Sequence, residues 1–222
     1  KPIRVAGQLI DDYHPIKGSI GLAEILVRSS NIGSAHISQL IGSETQKNYM
    51  KQLGLLSASP LEIVENGVPL VPQNWSHITT MTVSYGYGLS VSMVQAAAAI
   101  ATAGGDGHYI APTLLRRNAN EPIEKLRIFS TETSMAVRSM MRLVVSNKIG
   151  TGNFADAPGY LVGGKTGTAE KVENKGFNRK ANRVSFVATF PANDPAYLIM
   201  MMVDEPIGQK HSYNYATAGW VV

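Results

Sequence analysis

Apolar residues in the first two thirds of the chain recur at helical spacing, whereas in the last third they alternate or run together as they do in strands. Over 131–146, Val137, Met140, Met141, Val144 and Val145 fall at i, i+3, i+4, i+7 and i+8, which is one face of a helix. The methionines on that face read as core filler. A short helix is predicted over 21–28, and a second runs to about Leu40 with Asn31 as its N-cap. Ser43 and Gln46 have capping-box spacing and open a third, which Gly54 stops. Ser92 and Gln95 repeat that spacing before a helix over 93–103, ended by Gly104-Gly105, whose alanine run at 96–99 suits close packing in a helical core. Pro60, Pro69 and Pro72 make 60–75 an extended loop.

Strands are predicted over 160–169, 184–190 and 197–203. In the second, Val184, Phe186, Ala188 and Phe190 alternate with Ser185, Val187 and Thr189. Only residues 191–196 separate the last two strands, too few for a parallel crossover, so they should form an antiparallel hairpin. The fold class that follows is α+β, with a helical part about 18–147 and a sheet-forming part about 158–222 in a single domain, with no internal repeat and no dividing linker.

Composition narrows the chemistry. At 222 residues and 44% hydrophobic content the chain can bury one sizeable core. A net charge of +4 gathers partly between Lys165 and Arg183, but with aromatics at 7% and none interleaved with the basic residues, nucleic acid is not an expected partner; an anionic small substrate suits the same charge. The absence of cysteine removes disulfides, zinc-thiolate sites and cysteine nucleophiles. None of His14, His36, His77, His108 and His211 has ligand spacing with another histidine or a carboxylate, so no metal site is expected. No run approaches 18 apolar residues, and Lys1 is not followed by a signal-peptide pattern, so the chain as given is expected to be soluble, with any anchor in a longer precursor.

One motif match points elsewhere. Residues 159–166, from Gly159 through Gly164-Lys165-Thr166, satisfy the G-x4-G-K-[ST] phosphate-loop pattern, and the apolar run before Asp204-Glu205 resembles a magnesium-holding strand. That mechanism needs a helix that begins at the Lys-Thr pair and aims its positive end at the nucleotide. Here Tyr160, Leu161 and Val162 favour a strand, and residues 171–180 have no apolar face to lay on a sheet, so a P-loop NTPase is a remote alternative.

Ser29-Ser30-Asn31 in a helical region, followed far downstream by Lys165-Thr166-Gly167-Thr168 in a strand-like segment, resembles the second and third active-site motifs of the penicillin-binding proteins. The stretch 83–95, with Tyr85-Gly86-Tyr87-Gly88, is similar to the segment that follows Ser-x-Asn in class B members of the cell-division type. Gly150-Thr151-Gly152, Gly159-Tyr160 and Gly163-Gly164 resemble that group's approach to its third motif. The likeness extends from Asp12-Tyr13-His14 to Thr217-Ala218-Gly219. The family's first motif, Ser-x-x-Lys, holds its nucleophile; no serine here has lysine three positions later, so Lys1 is expected to begin just after that motif, and this 222-residue chain is expected not to acylate by itself.

The resemblance implies a penicillin-binding transpeptidase or β-lactamase-like fold, in which an antiparallel sheet packs with helices beside a mainly helical subdomain. It implies a cofactor-free D,D-transpeptidase that cross-links peptidoglycan stem peptides ending in D-Ala-D-Ala and binds β-lactam antibiotics, at the periplasmic face of the bacterial inner membrane, with other division proteins as partners of the full-length chain. Ser29 would relay a proton to the leaving amine, Asn31 would offer its amide to the substrate's peptide groups, and Lys165 would place positive charge beside Ser29 and the substrate carboxylate. Thr166 and Thr168 hydroxyls would bind that carboxylate, the Thr168 N–H would be one oxyanion donor, and Gly167 would let a substrate strand approach. Ser30 would be structural, and Tyr85 and Tyr87 either line the cleft or pack. A catalytically silent module that binds a wall peptide or a division partner is the alternative.

Overall fold

The computed structural model describes residues 2–5, 7–118, 120–173 and 176–221. In chain order the elements are β1 (Ile3–Val5), β2 (Gln8–Ile10), α1 (Leu22–Val27), α2 (Asn31–Ile41), α3 (Ser43–Gln52), α4 (His77–Ser84), α5 (Met93–Gly104), β3 (His108–Tyr109), β4 (Leu126–Arg127), α6 (Thr131–Ser146), β5 (Gly163–Glu173), β6 (Gly176–Phe190), β7 (Tyr197–Asp204) and α7 (Ala218–Val221). They divide into two compact units: Lys1–Ile20 with Ser30–Val137, and Gly21–Ser29 with Arg138–Val222. The boundary in the early part of the chain falls between Ser29 and Ser30, inside the Ser-Ser-Asn motif.

The first unit is helical with two small antiparallel strand pairs, β1 with β2 and β3 with β4. Its core is Ile10, Ala35 of α2 and Met81 of α4, and Ile3, Val5, Ile32 and Tyr85 pack against it. Tyr85 is thus a packing residue, with Tyr87 tilted against it at a ring separation of 5.8 Å. Two caps differ from the sequence expectation. Ser30, not Asn31, caps α2: its hydroxyl accepts from the N–H of Gly33, and Asn31 is the first helical residue. The hydroxyl one position earlier stands three residues from a free amide, which is the geometry a cap requires. Gly42 occupies the N-cap of α3, with no side-chain cap bond. Gln46 instead turns inward, donating to Thr80 O at 2.9 Å and accepting from Trp75 Nε1 at 3.1 Å.

The α5 capping box forms as read, with reciprocal bonds between Ser92 and Gln95. Gln95 also reaches two loop carbonyls, Gly54 O at 3.0 Å and Ser57 O at 2.6 Å, from a side chain 3% exposed. Replacing Gln95 by leucine should therefore cost about 2 kcal/mol, because it strands buried acceptors as well as deleting the cap partner. Urea unfolding with an unchanged m-value would measure that loss.

In the second unit β5, β6 and β7 form one antiparallel sheet in that order. The predicted hairpin is β6–β7, in the register Phe190↔Tyr197 to Arg183↔Asp204. Phe186, Ala188, Val162 and Val145 form the core, with Ala155, Ala157 and Phe190 against it, and Met141 and Val144 of α6 are also buried. On β6 the alternation does not separate a buried face from a wet one: Val187 and Thr189 are buried as fully as Phe186 and Ala188.

The first strand begins later and ends later than its sequence suggests. Leu161 has φ +49, which breaks an extended run before Gly163, and β5 continues through Glu173 by pairing with β6 past a register shift at Glu170/Lys171. Cross-strand hydrogen bonds sustain this polar stretch where apolar periodicity is lacking. Lys171, at that shift, pairs with Glu205 at 2.6 Å and Asp204 at 3.2 Å. Those hydrogen-bonded carboxylates raise its pKa.

Candidate active site

Lys165 and Ser29, 136 positions apart, meet within the second unit. Strand β5 presents Lys165, whose Nζ donates to Ser29 Oγ at 2.7 Å and to the Thr166 carbonyl at 2.8 Å. Lys165 is half-buried, and desolvation of its ammonium pushes its pKa down from 10.5 to about 8. Ser29 follows the last turn of α1, where its N–H donates to Leu26 O at 3.2 Å, and it adopts φ +55. A non-glycine residue in that left-handed region carries about 1–3 kcal/mol of backbone strain, which the surrounding structure must hold.

Two hydroxyls on the same strand are also fixed. Thr166 Oγ1 lies 2.6 Å from Thr151 Oγ1, and the Thr151 N–H donates to Val27 O at 3.3 Å, so Thr151 ties β5 to the end of the helix that carries Ser29. Thr168 Oγ1 accepts from the Ala218 N–H at 3.1 Å, which leaves its proton free to donate. A Cβ at Gly167 would meet Ser185 Oγ at 2.7 Å, across the β5–β6 pair, so the cross-strand neighbour already favours glycine there. Among the described residues β5 has a sheet neighbour on one side only.

Asn31 belongs to the first unit, where its Nδ2 donates to Asp11 O at 2.9 Å. Its neighbour Ser30, 3% exposed, donates to Asp12 Oδ2 at 2.9 Å. Sequence reasoning did not single out Thr151 or Asp12 as site residues, although both lie in stretches that carry the family likeness. Neither is linked by any local period to the motif it touches, so only the fold brings each pair together.

The phosphate-loop pattern does not survive this geometry. Lys165 and Thr166 are interior residues of an antiparallel strand, and no helix begins at them.

The penicillin binding protein transpeptidase domain profile matches residues 2–219. The chain belongs to this family. The probable peptidoglycan D,D-transpeptidase FtsI of Caulobacter vibrioides is 33% identical over all of this chain and 39% of its own length. Stage V sporulation protein D of Bacillus subtilis is 29% identical, covering 83% of this chain and 30% of its own. The chain thus spans well under half the length of these curated relatives. The apo transpeptidase domain of Burkholderia pseudomallei penicillin-binding protein 3 superposes with a TM-score of 0.88 at 33% identity, over 99% of this chain and 65% of that one. The α+β fold of this penicillin-binding family is therefore the fold of this chain.

Proposed function

We propose that this chain is part of a peptidoglycan D,D-transpeptidase of the cell-division type. The observation that carries the reading is the Lys165 Nζ contact with Ser29 Oγ, which joins the second and third family motifs through one cation. No serine here has lysine three positions later, so the acylated serine is placed outside these 222 residues. In the reaction its Oγ attacks the carbonyl carbon between the two terminal D-alanines, the C–N bond breaks, and D-Ala leaves as an amine that must gain a proton. A second stem-peptide amine then attacks the ester and restores the serine.

Each residue's role follows from its chemistry. Ser29, a donor and an acceptor at once, relays the proton to the leaving amine while Lys165 holds it. The Lys165 charge and the Thr166 and Thr168 hydroxyls bind the substrate carboxylate. The Thr168 N–H serves as one oxyanion donor, Gly167 lets the substrate backbone approach β5, and Asn31 receives a substrate peptide group. β-Lactams would acylate the same serine. The full-length protein would work at the periplasmic face of the inner membrane beside other division proteins; no helix among the described residues is long and apolar enough to cross a membrane.

Labelled penicillin tests the reading. The full-length protein that carries this sequence should become labelled through a serine, and the 222-residue chain alone should not. An unlabelled full-length protein would remove the transpeptidase assignment, and serine-linked labelling of the 222 residues would remove the external nucleophile.

A further inference from the structure

Asn-Gly occurs once in the chain, at Asn66-Gly67, and Asp-Gly once, at Asp106-Gly107. Either pair invites attack of the glycine nitrogen on the preceding side chain, because glycine has no Cβ to shield it. The fold separates the two. The Gly107 N–H donates to Thr102 O at 3.2 Å, and a Cβ there would run into Phe129 O, so that nitrogen is engaged and crowded. The Asp106 carboxylate is engaged too, accepting from the His108 N–H at 3.2 Å and lying 2.9 Å from His108 Nδ1. Asn66-Gly67 lies in the loop between α3 and α4, and Gly67 is exposed, with nothing within 4 Å of the place a Cβ would take. Among the described residues its N–H meets no hydrogen-bond acceptor.

Asn66 also closes this part of the loop on itself, because its Nδ2 donates to the carbonyl of Ser59, a residue 5% exposed. Neighbouring parts of the loop are held from outside. Gln95 grips Gly54 O and Ser57 O, and the Glu62 carboxylate accepts from Thr113 Oγ1 at 2.5 Å and from the Leu114 N–H at 3.0 Å. We propose that Asn66 is a modification site, where water replaces the side-chain amide by way of a cyclic imide with Gly67 and unfastens residues 59–67. Asparagine is among the chemically labile residues. The Gly67 nitrogen gives up its proton and attacks Asn66 Cγ; the N–Cγ bond forms, the Cγ–Nδ2 bond breaks, and Nδ2 leaves as ammonia with that proton. Water then opens the ring at one of its two carbonyls and leaves aspartate or isoaspartate at position 66. The nitrogen expelled is the one that holds Ser59, and the carboxylate left behind has no donor to offer that buried carbonyl, which favours an open loop. This chemistry does not depend on transpeptidase activity.

Peptide mapping by mass spectrometry tests the site in the full-length protein, held folded at mildly alkaline pH beside a synthetic peptide of residues 61–71. Residue 66 should convert at a rate within about tenfold of the peptide, because surface loops open at little cost. Gly67→Ala, where the added methyl meets nothing, should suppress the conversion, and Asp106 should stay unmodified. Asn66→Asp, which reproduces one product, should speed hydrogen exchange of the amides of residues 59–67 about tenfold and leave those of α5 unchanged. Slower conversion than this, or equal conversion in Gly67→Ala, would overturn the inference. Conversion of Asp106 at the pace of its own peptide would mean that the reaction ran through the unfolded chain, and would overturn it as well. Unchanged exchange in Asn66→Asp would overturn the release of the loop.

Discussion

Replacing Lys165 by alanine is expected to slow β-lactam acylation of the full-length protein about 10²–10³-fold, the usual loss when one preorganised electrostatic group is removed from a reaction site. The Lys165 ammonium is the cation that contacts Ser29 Oγ, at 2.7 Å, and the other lysine of β5, Lys171, is engaged with Asp204 and Glu205. Stability should respond differently. Burial disfavours the charged form of Lys165 and lowers its pKa to about 8, so its ammonium is held in the fold at a cost, and the alanine variant should melt within about 4 °C of the parent. The same shift fixes two pH dependences. Between about 8 and 10.5 the unfolded chain binds more protons at this lysine than the folded chain does, so its contribution to stability rises with pH across that window. Acylation should run the other way, falling above an apparent pKa near 8 as the cation is lost. Rates measured from pH 6 to pH 10 with labelled penicillin would show both the missing alkaline limb in the variant and its presence in the parent. An alanine variant that acylates at the parental rate would remove Lys165 from the reaction.

What the sequence reveals here depends on whether the determining contact is local. The capping box of Ser92 and Gln95 and the apolar face of α6 depend on neighbours within one or two turns, and both form as the spacing implies. The β6–β7 hairpin follows from a connection too short for any other topology. Ser43 and Gln46 carry the same local pattern as Ser92 and Gln95, yet Gln46 is drawn away by Trp75 and Thr80, residues about thirty positions distant. Strand β5 runs beyond Ala169 because β6 pairs with it, and no periodicity within its own polar residues records that. At the site, Lys165 and Ser29 were legible only as members of a family pattern. Their 2.7 Å contact, the left-handed backbone at Ser29 and the hold of Thr151 on Thr166 all arise between segments far apart in the chain.

Gly164 is the residue where fold and site constrain each other most tightly, and Gly164→Val should destabilise the chain by about 3 kcal/mol, lowering its melting temperature by roughly 10 °C. A Cβ there would stand 2.5 Å from Phe186 Cζ and 2.6 Å from the Val187 carbonyl oxygen. The Phe186 ring is wedged among Val145, Val162 and Ala188 and has little room to swing. The carbonyl belongs to β6 itself and moves only if the β5–β6 register around Gly164↔Ala188 moves. Gly67→Ala is the control: nothing lies within 4 Å of a Cβ there, so a change within about 0.5 kcal/mol is expected. Pairing Gly164→Ala with Phe186→Leu separates the two obstacles. Relief of the ring contact alone should recover only part of the loss, since the carbonyl contact persists. Full recovery would assign the whole effect to the ring. Because Gly164 directly precedes Lys165, a shift of β5 that accommodates the new side chain would also carry the ammonium away from Ser29, so the folded fraction of the valine variant should acylate more slowly than its stability alone would require.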